Sequence, residues 1–92
     1  MGMEHKPGEQ IVSDIEFASK QIEVGVRYSH YKDPSKVYLV IGFGTLEATD
    51  ELCVLYQAEY SPGLTFIRPV NQWSEYVQWQ DNLVSRFTKI EN

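Results

Sequence analysis

The sequence predicts a mainly β domain, built as a small barrel or roll of five to six short antiparallel strands that follow a short N-terminal helix. Three observations lead to this prediction. Apolar residues alternate with a period of two from Val26 onward, Pro62-Gly63 marks a tight turn, and Ser13-Asp-Ile-Glu16 has the capping pattern of a helix start. A sheet that closes on itself has no unpaired edges, which favours a barrel or roll.

The N-terminal part of the chain is predicted to be an appendage. Residues 1–12 lack periodicity and are expected to be a flexible N-terminus. Residues 13–24 follow as a helical appendage, with a helix from about residue 14 to residue 21. A helix this short is not stable alone, so we expect it to dock on the body of the domain or on a second copy. Its apolar face consists of Ile15, Ala18 and Ile22.

Residues 25–92 are predicted to form the β domain. Its second strand is apolar on both faces and is therefore expected to be central, with a bend or bulge near Gly42. We expect the first turn at Asp33-Pro34-Ser35, a type II turn over residues 61–64 and a single helical turn over residues 71–75. The predicted strands are residues 26–31, 37–43, 52–60, 64–68, 76–79 and 84–90, the last two forming a closing hairpin around residues 80–83.

Charge is unevenly distributed along the chain. The net charge is −5, yet Arg27, Lys32 and Lys36 lie close together in one stretch. General nucleic-acid binding requires a broad cationic surface, which an acidic chain does not provide. A locally basic stretch is instead compatible with a small anion, a peptide or an acidic partner.

Composition also indicates the cellular location of the protein. No run approaches the roughly 18–20 apolar residues of a membrane span, and the first residues do not resemble a signal segment. Cys53 is the sole cysteine, so no intrachain disulfide can form, and we interpret the chain as a cytoplasmic domain. No cofactor or metal is indicated, because His5, His30 and Cys53 lack the spacing of metal ligands.

The candidate ligand-binding residues are His30, Lys32, Tyr56 and Arg68. His30 is either an acid/base group near neutral pH or a histidine hydrogen-bonded between strands. Arg68 either binds an anion bidentately or fastens two strands, and Lys32 is either a ligand contact or a solvated turn residue. Tyr56, which shares a strand face with Tyr60, either lines a groove or packs on the sheet. The candidate strand-fastening partners of Arg68 are Glu47, Glu51 and Glu59.

Other conspicuous residues have structural interpretations. Trp73 is expected to cap the core, and Cys53 to pack as a small apolar residue. The acidic pair Asp50-Glu51 lies in a predicted loop, where solubility explains it. No catalytic constellation stands out, so an enzyme is not favoured.

A series of short motifs runs through the chain in a distinctive order. They are Tyr28, His30-Tyr31-Lys32, Tyr38, Gly42, Thr45, Glu47, Glu51, Tyr56, Tyr60, Phe66-Ile67-Arg68-Pro69 and Arg86-Phe87. On these residues the chain resembles the bacterial domain-of-unknown-function family 1653 from Gly25 to about Phe87. The resemblance implies an SH3-like β-roll, in agreement with the strand count. It implies no activity, because that family has none assigned.

Three functions remain open from the sequence. The first is a non-catalytic binding module whose groove takes a small anion, a nucleotide-like ligand or a peptide. The second is a small enzyme with His30 as acid/base, in which Arg68 and Lys32 hold negative charge. The third is a structural or assembly protein that forms a homodimer through an edge strand or the N-terminal helix. A pocket on which His30, Lys32 and Arg68 converge would favour the first two.

Overall fold

The computed structural model describes residues 7–91 and forms a mainly β domain, as predicted. Its strands pair antiparallel throughout. The described residues contain seven strands, rather than the five to six expected. In chain order the elements are α1 (Gly8–Ser19), β1 (Arg27–His30), β2 (Asp33–Leu46), β3 (Glu51–Ala58), β4 (Thr65–Pro69), α2 (Val70–Trp73), β5 (Tyr76–Trp79), β6 (Asn82–Ser85) and β7 (Phe87–Lys89).

Five strands form one sheet in the order β4-β3-β2-β1-β7, and β5 and β6 form a separate two-stranded sheet. The β3–β4 hairpin and the position of β2 between β1 and β3 confirm two predictions. The predicted closed barrel is wrong, because β4 and β7 are the two ends of the larger sheet and do not pair with each other.

The predicted strand 84–90 is divided at Arg86 into two short strands, which lie in different sheets. Gln80 and Asp81, both with positive φ, form a two-residue turn, so β6 already begins at Asn82 and pairs with β5. The amide of Arg86 then donates to the Glu75 carbonyl at 3.2 Å, and β7 crosses to pair with β1.

Helix α1 starts earlier than predicted. It begins at Gly8, directly after Pro7, so residues 8–12 are helical and the Ser13 capping pattern lies inside the helix. Proline favours a helix start because its φ is already helical, and Glu9 in the first turn interacts favourably with the helix dipole. Residues 1–6 lie outside the described part of the chain.

The first turn lies before the predicted one. The chain reverses at Tyr31 and Lys32, because His30 already pairs with Asp33. Residues 34–36 belong to β2 but have no partner in β1. The expected turn at Asp33-Pro34-Ser35 is therefore wrong, and the Asp33 carboxylate instead accepts hydrogen bonds from the amide and hydroxyl of Ser35, at 3.1 and 2.6 Å.

The turn after β3 differs in type. The Gly63 amide donates to the Tyr60 carbonyl at 2.7 Å, so the turn spans residues 60–63 and Pro62 occupies its third position. A type II turn has proline in the second position, and the Ser61–Pro62 peptide bond here is cis. The predicted helical turn before β5 is present as α2, and the predicted irregularity near Gly42 is confirmed as a register shift between Val40 and Gly42.

The core lies on one face of the five-stranded sheet, beneath α2 and the end of the N-terminal segment. Trp73 caps it as predicted, with 4% of its surface exposed and its ring stacked on Phe87 at 3.8 Å. Ala18 and Ile22 are buried, which confirms that the helical segment docks on the domain. The other members of the core are Tyr28, Tyr38, Val40, Val54, Tyr56 and Ala58.

Burial also decides two interpretations of residues in or just before β3. Cys53 is buried as predicted, and burial raises the pKa of its thiol. Asp50 is also buried, so the interpretation of this residue as a solubility feature is wrong. Within residues 7–91, no helix has the length and apolarity to cross a membrane.

Candidate functional site

A cavity of about 150 Å³ lies on the core face of the five-stranded sheet, and every strand of that sheet contributes to its wall. We call it the aromatic cavity, because rings form most of its lining. Three of the four predicted site residues meet there. Its lining residues are His30, Tyr38, Tyr56, Phe66, Arg68 and Phe87.

Strand register brings these residues together. His30 of β1 lies opposite Phe87 of β7, and Tyr56 of β3 lies opposite Phe66 of β4. Residues directly opposite each other share a face of the sheet, and residues two apart on a strand share that face too. Arg68, two residues after Phe66, therefore points to the same face as the rings.

Arg68 is half-buried and fixed by a hydroxyl group. Its Nε donates to the Tyr56 hydroxyl at 3.2 Å, and its Cζ lies 5.9 Å from the centre of the Phe87 ring. The alternative that Arg68 fastens strands through Glu47, Glu51 or Glu59 is wrong, because none of the three pairs with it; Glu59 pairs with Arg27 at 2.9 Å instead. No carboxylate of residues 7–91 forms an ion pair with Arg68.

His30 lines the cavity, and its ring is held by a backbone hydrogen bond. Its Nδ1 accepts a hydrogen bond from the Lys32 amide at 3.2 Å, so the proton of the neutral ring belongs on Nε2. The ring packs edge to face against Phe87, with centroids 5.3 Å apart. Burial, reinforced by neighbouring cations, holds the pKa of His30 below its usual value of 6.5. Those cations are Arg68, Arg86, Lys32 and Lys36.

Tyr56 combines the two roles that the sequence left open. Its ring packs against Trp73 and Phe66, at centroid distances of 4.9 and 5.7 Å, while its hydroxyl accepts the Arg68 hydrogen bond. A second hydroxyl pair lies close by, since Tyr38 and Tyr60 share a hydrogen bond of 2.6 Å. Burial, followed by this hydrogen bond, raises the pKa of Tyr38.

Lys32 is the predicted site residue that the fold does not bring into the cavity. It lies exposed in the β1–β2 turn, with its Nζ 5.9 Å from the centre of the Tyr31 ring. The sequence reasoning missed Tyr38, Phe66 and Phe87 as cavity residues. All three belong to the motif residues quoted above, but their apolar strand positions indicated only core packing.

A larger and more open groove of about 540 Å³ lies elsewhere, and its cations are already paired. Arg27 on its wall bonds to Glu59, and Lys89 bonds to Glu23. No group of three or more histidine, cysteine or acidic side chains within residues 7–91 is placed to hold a metal ion. The aromatic cavity is therefore the better candidate for a site that needs a charged ligand.

Fold and site together define a mainly β domain with antiparallel sheets and a half-buried cation in an aromatic cavity. Residues 26–89 match the family model described as a protein of unknown function (DUF1653), so the chain belongs to this family. The crystal structure of a DUF1653 protein from Bordetella bronchiseptica is similar, with 30% sequence identity over 76% of this chain and 90% of that chain, and a TM-score of 0.65. No curated protein matches the chain. Membership confirms the sequence resemblance and brings no activity with it.

Proposed function

We propose that the domain is a non-catalytic binding module that recognises an anionic group of carboxylate or phosphate size in the aromatic cavity. Arg68 is the observation that carries this proposal. Its guanidinium is half-buried and has a hydroxyl partner in Tyr56, but it has no carboxylate partner among residues 7–91. Because a charge removed from water is costly without an opposite charge, an anion from outside would complete the site.

Two donors are suitably placed for such an anion. Arg68 uses Nε for Tyr56, which leaves its two Nη groups to bind two oxygens of one carboxylate or phosphate. His30 lines the same cavity and offers Nε2–H, because its Nδ1 is occupied by the Lys32 amide. The pair is typical of sites that bind planar or tetrahedral oxyanions.

The electrostatic potential supports the same ligand class. The cations that lower the pKa of His30 come from four different positions, including Arg68 and Arg86. Arg86 is paired with Glu75, so the positive region beside the cavity comes mainly from Arg68, Lys32 and Lys36, in a chain whose net charge is −5. Such a region attracts anions and raises their local concentration.

Cavity size limits how much of the ligand enters. Pockets that enclose a whole small molecule have volumes of roughly 300–1,000 Å³. The aromatic cavity, at about 150 Å³, has room for one functional group. We therefore propose that a larger molecule inserts one carboxylate or phosphate group into the cavity. A nucleotide-like ligand would insert only its phosphate.

Family membership adds support from a different direction. Each of the six cavity-lining residues lies within residues 26–89, the range that matches the family model. Those residues are scattered from β1 to β7 along the chain, and the fold collects them around one cavity.

Several wider features remain part of this proposal. We propose that the two sheets and α2 form an SH3-like roll over residues 25–92, with residues 1–24 as an appendage. The consecutive antiparallel order of β1 to β4 supports the roll. We also propose a cytoplasmic location, which a single free thiol supports. A homodimer through the N-terminal helix stays a proposal, supported by exposed Phe17 and Val12 on α1.

Nuclear magnetic resonance tests the binding site directly. Labelled protein is titrated with inorganic phosphate and with acetate, against sodium chloride of equal ionic strength. We expect the His30 ring signals to shift saturably and the pKa of His30 to rise, because a bound anion favours the imidazolium. Arg68→Met should abolish the response, whereas Arg27→Met, which removes a cation paired outside the cavity, should retain it. If neither anion acts more strongly than chloride, the proposal is wrong.

A further inference from the structure

Strand β4 (Thr65–Pro69) is an uncovered edge of the five-stranded sheet. Within residues 7–91 it pairs only with β3. Thr65, Phe66 and Ile67 are all exposed, Ile67 to 66%. An edge of this kind presents backbone N–H and C=O groups that another strand can bind.

The ladder shows which backbone groups of β4 face outward. The Ala58 amide donates to the Leu64 carbonyl at 2.9 Å, so these opposite residues form a hydrogen-bonded pair. Such pairs alternate along an antiparallel ladder, so Phe66 and Arg68 bond inward to β3. Thr65 and Ile67 therefore direct their N–H and C=O groups to the open side. The next outward position is Pro69, which has no N–H to leave unpaired.

The other edge strand of the sheet, β7, has features that hinder pairing with another chain. β7 has three residues and carries Lys89, which bonds to Glu23. Short and charged edges resist pairing with other chains. On β4 the outward positions carry the uncharged residues Thr65, Ile67 and Pro69, and the one charged side chain of the strand, Arg68, lies in the aromatic cavity.

We propose, building on the function proposed above, that the ligand is an extended acidic peptide segment that adds to β4 as an antiparallel strand. Two features carry this inference: the open edge lies directly beside the cavity, and the cavity has a positive charge that the edge itself does not satisfy. Addition of a strand supplies affinity through main-chain hydrogen bonds and specificity through alternate side chains. The acidic side chain is the specificity element here.

Register predicts where the acidic residue lies. A peptide residue opposite Phe66 is flanked by residues opposite Thr65 and Ile67, and both flanking residues can form full hydrogen-bonded pairs. A register centred on Arg68 loses a donor, because Pro69 has no N–H. A glutamate opposite Phe66 shares the core face and lies diagonal to Arg68, at a residue separation of roughly 7–8 Å that long side chains can span.

A second copy of this chain is the less favourable occupant of β4. Pairing two β4 edges brings two positively charged cavities side by side, and like charges repel. An acidic peptide neutralises the charge instead. The two occupants are distinguished by the mass of the protein in solution.

Peptide backbone methylation tests the strand addition. The probe is acetyl-Thr-Val-Glu-Val-Thr-amide, titrated into the wild-type protein and followed by the amide signals of Thr65 and Ile67. N-methylation of either valine should weaken binding at least about tenfold, because those N–H groups point to β4. N-methylation of the glutamate is the matched control and should be tolerated, because its N–H points away. Glutamine in place of glutamate should also weaken binding about tenfold, because the ion pair is lost.

Ile67→Pro separates this inference from the proposed function. The substitution removes an outward N–H without disturbing the ladder to β3, as native Pro69 already does. We expect the variant to retain the His30 response to inorganic phosphate and to lose the peptide. If it binds the peptide as well as the wild type, or if all methylated peptides bind equally, strand addition is wrong and the anion site stands. If neither phosphate nor peptide affects His30, both proposals fail. Self-association of the wild type that Ile67→Pro abolishes would assign β4 to a second copy and overturn the inference.

Discussion

Replacing Arg68 by methionine distinguishes a ligand-binding residue from a structural one. Methionine retains an unbranched apolar stem of similar reach and removes the guanidinium. In the free protein the change removes the hydrogen bond from Nε to the Tyr56 hydroxyl and the contact of the cation with the Phe87 ring. Among the neighbouring charges, it also removes the one that lowers the pKa of His30 most.

The expected loss in the free energy of unfolding follows from these contacts. The hydrogen bond contributes about 1 kcal/mol to the free energy of unfolding, and a cation–ring contact at a half-exposed position about 0.5–1 kcal/mol. Loss of charge repulsion around His30 and better burial of methionine oppose them. We expect a net destabilisation of no more than about 1.5 kcal/mol. A residue from a buried ion pair would cost about 3–5 kcal/mol.

Urea denaturation of the variant, together with a His30 pKa titration, provides the assay. Tyr56→Phe is the matched control, because it removes the same hydrogen bond and retains the cation. Tyr56→Phe should lower the free energy of unfolding by about 1 kcal/mol and weaken anion binding. Arg68→Met should abolish anion binding and raise the pKa of His30. A loss of more than about 3 kcal/mol for Arg68→Met would assign Arg68 to the scaffold and refute the reasoning. An unchanged His30 pKa would refute the electrostatic part.

Three further predictions concern the surroundings of the site. Because the folded protein holds the pKa of His30 below 6.5, the unfolded chain binds more protons in the window between the two pKa values. The free energy of unfolding should therefore fall as pH drops below 6.5, and His30→Asn should reduce this slope in urea titrations; an equal slope would contradict the assignment. Lys32→Ala should change stability by less than about 0.5 kcal/mol while raising the pKa of His30, and a larger loss would show that Lys32 is structural. Ile22→Ala should cost about 2–5 kcal/mol, and deletion of residues 1–22 should lower the melting temperature. If the truncated protein keeps its melting temperature and its oligomeric state in light scattering, the segment is dispensable.

Local sequence signals predicted much of this fold, and non-local contacts limited the rest. Alternation and Pro62-Gly63 were sufficient for β3, β4 and their pairing, because a hairpin depends on neighbouring residues. The division of residues 84–90 depends instead on hydrogen bonds of Arg86 to Glu75 and Tyr31, which are separated from it in the chain. The predicted barrel closure is wrong for the same reason. Closure depends on which strands lie at the two edges of the sheet and on whether they pair.

The start of α1 shows a different limit. Ser13 and Glu16 match a capping box, but the match alone does not start a helix when no breaker precedes it. Pro7 directly precedes the first residue of α1, a place where proline is readily accommodated. The helix start is therefore marked by Pro7 rather than by the capping pattern at Ser13.

A site residue was predictable from the sequence when its side chain was of a polar type that is uncommon in a half-apolar strand. His30 and Arg68 stood out as polar residues in half-apolar strands, and both line the cavity. Lys32 was placed beside His30 by alternation, but β1 ends at His30, so alternation no longer applies. Phe87 was not recognised, because an aromatic residue in a strand is usually part of the core.

The cavity and the core share the same rings, and this sharing has a consequence for function. Phe87 stacks on Trp73 at 3.8 Å, contacts His30 at 5.3 Å between centroids and lies beneath Arg68. Both donors of the proposed site therefore rest on a ring that the core already holds in place. A site fixed before the ligand arrives loses little conformational entropy on binding, which favours affinity for a small anionic group. The same arrangement means that truncating Phe87 would test the core rather than the site, so only changes confined to polar atoms can measure binding.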